Sequence, residues 1–130
     1  MKATFNTAIN IVPFFIWIFC FYLALMKVET YPDIGMIQIF LLLCLPLLYS
    51  IYNVFFSKNK NDFLINSAIF CISHIIGFCI EGALYYNYIS SDSETIVIIN
   101  TFSIISIVYI LIVTLVFYGI RAFVDKVRNK

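Results

Sequence analysis

The sequence predicts an all-α membrane protein: a four-transmembrane-helix antiparallel bundle with its N- and C-termini both in the cytoplasm (N-in/C-in). Three observations predict it. Four apolar runs each approach or exceed the roughly 20 residues that span a hydrocarbon core of about 30 Å. The 130-residue chain is 63% hydrophobic and only 12% charged, with a mean hydropathy of +1.01, so its polar groups are too few to cover a water-facing globule. The cationic residues flank the runs asymmetrically, and that asymmetry sets orientation. Residues 1–130 are read as a single integral membrane domain with spans at 8–26, 36–56, 63–87 and 95–120, which leaves no room for a soluble domain.

The first run contains Asn10 and Pro13. A proline is tolerated near the first turn of a helix, where its missing N–H has no partner to lose. With only Lys2 ahead of the run and no small-x-small site before Lys27, the segment reads as an uncleaved first span and not as a signal peptide. Lys27 to Gly35 then reads as a loop, because Pro32-Asp33 followed by Gly35 is turn chemistry.

The second run is nearly uninterrupted apart from Pro46, which frees the carbonyl one turn earlier and bends the helix; a nearby hydroxyl such as Ser50 would compensate. Ser57 to Asp62 is a short polar link with Asn61 or Asp62 as the helix cap. The third run ends in Tyr85, Tyr86 and Tyr88, rings suited to the boundary between hydrocarbon and headgroups. Ser91 and Glu94 have capping-box spacing for the fourth helix, which is longer than a span requires and ends in a basic tail. That tail, from Arg121, is suited to anionic headgroups.

Lys2, Lys58, Lys60, Arg121, Lys126, Arg128 and Lys130 all fall on one side of this arrangement, with Lys27 alone on the other. Since the cation-rich side is retained in the cytoplasm, both ends face inward. A composition rich in Ile, Asn, Phe and Lys matches an AT-rich bacterial genome, which points to a bacterial cell (cytoplasmic) membrane.

Bulk charge excludes little, because eight basic and seven acidic residues leave a net charge of +1. A nucleic-acid partner is not expected from so few cations. The single histidine excludes a two-histidine metal motif within one chain, and Cys20, Cys44, Cys71 and Cys79 all sit in apolar runs as small packing residues. Neither a phosphate loop nor a nucleophile elbow is present, so no enzyme and no cofactor is expected.

Glu81 is the one carboxylate inside a span, and His74, on the same run, is the one histidine. Ser67, Phe70, His74, Gly77, Glu81 and Tyr85 step by three or four and form a stripe, which should face protein or water because a charge facing lipid is costly. His74 and Glu81 are separated by roughly 10.5 Å along the helix axis, so a water or another side chain must bridge them. Two readings follow: a proton or cation site with Glu81 as carrier or counter-ion and His74 as relay, or a structural role in which Glu81 snorkels to the outer headgroups or bonds Tyr22, Gln38 or a serine of another helix while His74 is a satisfied core donor.

Asn100, Ser103, Ser106 and Thr114 of the fourth run would add a polar seam against this stripe. Ser73, Gly77 and Gly82 would let another helix pack closely. Asn6, Asn10, Tyr49, Ser50 and Asn53 read as hydrated helix ends, and Trp17 as a lipid-facing or packing residue.

Function is expected to be that of an accessory, protective or regulatory membrane protein without turnover. Its partners would be the lipid bilayer and another membrane protein, a hydrophobic peptide or a second copy of itself. The alternative is an oligomeric small transporter or channel subunit that uses His74 and Glu81.

Overall fold

Four helices, each long and apolar enough to cross a membrane, make up the computed structural model, which describes residues 2–27, 34–88 and 93–129. They are α1 (Lys2–Lys27), α2 (Ile34–Phe56), α3 (Lys60–Tyr88) and α4 (Ser93–Arg128). All four outrun the expected spans, since a helix continues past the hydrocarbon wherever nothing breaks it. At 1.5 Å per residue the 36 residues of α4 extend about 54 Å, well beyond a 30 Å core.

Ile34 and Gly35, read above as loop, already belong to α2. The turn at Pro32-Asp33 and the Ser91 cap lie outside the described residues. Pro13 is not near a first turn: α1 begins at Lys2, so the ring sits in the helix interior, where it removes the hydrogen bond to the carbonyl of Ile9. The cap of α3 is Asn59, two to three residues earlier than expected. Its Oδ1 accepts the Asp62 N–H at 2.9 Å, while the Asp62 carboxylate accepts the Lys58 N–H at 2.9 Å, a reciprocal arrangement of the capping-box kind.

Each helix turns one stripe inward. On α1 the buried positions are Asn6, Asn10, Pro13, Trp17, Cys20 and Ala24, alternating steps of four and three. On α4 they are Ser106, Ile110, Val113 and Arg121. The longest interface is that of α1 with α3, and α4 packs on both α2 and α3. The backbones of α1 and α4 do not approach one another among the described residues.

Gly77 is what brings α1 close: a Cβ there would stand 3.0 Å from the Phe14 Cα and 3.0 Å from Trp17 Cδ1. Gly82 does the same for α4, where Ile99 Cγ2 would be 2.9 Å away. Ser73, the third small residue of that set, is half-buried. The apolar core gathers Trp17, Cys20, Leu42 and Phe78, with Leu41 and Phe102 against it. Tyr109 of α4 donates to the Leu43 carbonyl at 2.7 Å, in the turn that Pro46 disturbs.

The distribution of polarity is the reverse of a water-soluble protein. Asn10, Asn53, His74, Glu81 and Arg121 are all at most 2% exposed, whereas Phe15, Phe55, Leu115 and Phe123 are more than 60% exposed. Such an exterior is stable against lipid and not against water.

Candidate functional site

The polar interior divides into three levels along the bundle. At one end, Asn10 of α1 and Asn53 of α2 exchange two amide hydrogen bonds, at 3.0 and 2.9 Å. The Asn10 amide also donates to the Asn6 carbonyl at 2.8 Å, Asn6 donates to the Phe56 carbonyl at 3.1 Å, and Tyr52 donates to Asn6 Oδ1 at 2.7 Å. These asparagines are therefore not hydrated helix ends. They are buried and paired, because an unpaired amide in this interior would lose its water without replacement.

Arg121 belongs to the same end and overturns the expectation that it sits on headgroups. It is 2% exposed, with Nη1 donating to the Val54 carbonyl, Nη2 to the Lys58 carbonyl at 2.9 Å, and Nε to Asp125 at 2.9 Å. One guanidinium thus satisfies carbonyls left open at the end of α2 and in the link to α3. Asp125 also accepts the Lys60 N–H at 2.9 Å, which ties the start of α3 to the end of α4.

At the middle level, His74 is fully buried and its Nδ1 accepts the Trp17 indole N–H at 3.1 Å. Trp17, fully buried in the core, is thus a packing residue, the second of the two roles expected, and a polar partner besides. The bond requires Nδ1 to carry no proton, which leaves Nε2 as the protonated nitrogen of the neutral ring. His74 is thus an acceptor toward α1 where a core donor was expected. Its Nε2 and the hydroxyls of Ser67 and Ser106 are buried with no partner among the described residues. Phe70 stacks on the His74 ring with centroids 5.3 Å apart, and Tyr49 stacks on Phe70 at 4.7 Å.

At the other end, Glu81 is 1% exposed and its Oε1 accepts a hydrogen bond from Gln38 Nε2 of α2 at 2.5 Å. Gln38 is among the partners the sequence offered for this carboxylate. Beside them, α2, α3 and α4 leave a cavity of about 220 Å³, which Tyr85, Thr95 and Phe102 help to line.

Of the α3 stripe, Ser67, Phe70, His74, Gly77 and Glu81 are buried and Tyr85 is half-buried. The stripe is not one connected site: His74 bonds to α1 and Glu81 to α2. The α4 seam does not form as expected either. Asn100 is exposed, Ser103 donates to the Ile99 carbonyl of its own helix at 2.8 Å, Ser106 is buried with its hydroxyl unpartnered among the described residues, and Thr114 sets its hydroxyl 3.9 Å from Cys71 Sγ of α3. Asn100 projects away because α4 meets its neighbours along the line through Ser106 and Ile110, a register that composition does not reveal.

Trp17 and Arg121 are the residues that sequence reasoning missed. Both fall on the three-and-four spacing of their helix's buried stripe, and that spacing was the available signal. Among the described residues no three His, Cys, Asp or Glu side chains come together as metal ligands. Comparison of the chain with protein families, curated proteins and solved structures finds no match.

Proposed function

We propose that the chain is a multi-pass protein of a bacterial cytoplasmic membrane, an antiparallel bundle with both ends in the cytoplasm, that serves as an accessory, protective or regulatory component within the bilayer and carries out no turnover of its own. The observation that carries this reading is the separate engagement of His74 and Glu81. His74 is held by Trp17 and Glu81 by Gln38, on different neighbouring helices. A relay needs one group to pass a proton to the next, whereas here each is tied into a different helix contact.

The orientation draws support from the gathering of Asn6, Phe56, Lys60 and Asp125 at one end of the bundle. Lys58, Lys60, Lys126 and Arg128 are at that end too, the cation-rich side that membranes retain in the cytoplasm.

One observation favours the second reading, an oligomeric transporter or channel subunit: the cavity that reaches Glu81. Purified protein in liposomes separates the two. The accessory reading expects no proton or cation flux above empty vesicles, together with a reproducible partner recovered after crosslinking in native membranes. Flux that is lost on Glu81→Gln would overturn it in favour of transport.

A further inference from the structure

The cavity beside Glu81 is too small for a whole lipid and large enough for a small organic molecule. Its volume of about 220 Å³ is well above what a single water needs. Leu42, Phe78, Ile99 and Phe102 supply apolar walls, and Gln38 and Glu81 supply polar groups at one side. The carboxylate there has a neutral partner, Gln38, and among the described residues no cationic one.

Among the described residues the one ion pair is Arg121 with Asp125. Arg121 bonds at Val54, whereas Glu81 bonds at Gln38. Those two α2 positions are about 24 Å apart at 1.5 Å per residue, so Arg121 cannot reach the carboxylate. A carboxylate withdrawn from water is costly until a proton or a cation joins it, and among the described residues no cationic side chain is recorded on Glu81. Phe78 and Phe102 also line the cavity, and an aromatic face attracts a cation. An anion would be repelled, and a neutral apolar guest would leave the carboxylate as it was.

We infer that this cavity binds a small lipophilic organic ammonium ion, its charged nitrogen on the Glu81 carboxylate and its apolar body among Leu42, Ile99 and Phe102. The inference rests on the reading above of a bilayer-resident protein that binds without turnover, and it names the chemistry of one ligand.

Phenethylammonium is a suitable probe, with 2-phenylethanol as the uncharged molecule of the same skeleton. Titrated into the full chain in phosphatidylcholine nanodiscs, phenethylammonium should bind saturably at one per chain above the level of empty nanodiscs. Glu81→Gln should weaken binding about tenfold or more, the worth of a charge-assisted contact, and 2-phenylethanol should compete poorly. Ile98→Trp, which crowds the cavity and keeps the carboxylate, should also abolish binding, so that a poorly folded Glu81→Gln does not end the test.

Binding equal to empty nanodiscs, binding unchanged in both variants, or equal competition by 2-phenylethanol overturns the inference. Binding accompanied by Glu81-dependent transport of the probe in liposomes keeps this site and overturns the accessory reading. Absence of both binding and transport overturns the site alone.

Discussion

The indole of Trp17 dictates the tautomer of His74, because a donor at Nδ1 demands an unprotonated nitrogen there. Nitrogen-15 spectra of the imidazole should accordingly show a protonated Nε2 and a bare Nδ1, and Trp17→Phe should release that preference while costing on the order of 1–3 kcal/mol for the orphaned acceptor. Equal population of the two tautomers in the native protein would contradict the bond. Arg121 offers a second residue-level test, since its guanidinium serves the carbonyls of Val54 and Lys58. Arg121→Met should destabilise the protein in detergent by roughly 1–3 kcal/mol, with Lys126→Met, an exposed neighbour, staying within about 0.5 kcal/mol of the parent. A similar loss in both variants would mean that general charge, not the carbonyl contacts, is what Arg121 contributes.

At the scale of elements, glycines decide how closely helices meet. The Cβ of a Gly77→Ala chain would stand against the Phe14 backbone, which cannot rotate away, so α1 has to shift. The expected cost is about 1–3 kcal/mol of overpacking. Gly119 has no atom within 4 Å of its would-be Cβ, and Gly119→Ala should be neutral or stabilising by up to about 1 kcal/mol through helix propensity alone. Unfolding of the two variants in mixed micelles reads the difference directly, and equal behaviour would deny that α1 packs at Gly77. Gly82 lies between these cases, because its neighbour is the Ile99 side chain. The same reasoning explains the length of α4: it buries little beyond Ser106, Ile110, Val113 and Arg121, and its outer face presents Leu111, Leu115 and Phe123 to the surroundings.

For the whole molecule, orientation is the property to test. In a background lacking the four native cysteines, Ser91→Cys should react with a membrane-impermeant thiol reagent applied outside intact cells, and Asn59→Cys should react only after permeabilisation. Labelling of Asn59→Cys from outside would reverse the proposed topology. The cluster that joins Asn6, Asn53, Arg121 and Asp125 should then be found at the cytoplasmic end, and the Gln38–Glu81 pair with its cavity toward the opposite face.

The four apolar helices were legible in the sequence because length and hydropathy are properties of a continuous segment, each residue adding to the sum whatever its neighbours in space. The stripe from Ser67 through His74 to Glu81 was legible for a related reason, since helical spacing converts sequence distance into a shared face. Partnership was not. That Asn10 meets Asn53, that Trp17 meets His74 and that Arg121 closes the end of α2 are relations across 43, 57 and 67 residues. They depend on the rotation and depth of one helix against another, and many rotations satisfy the same hydropathy. Only the packed bundle selects among them, because a buried donor or acceptor without a partner is the costly alternative that rules the others out.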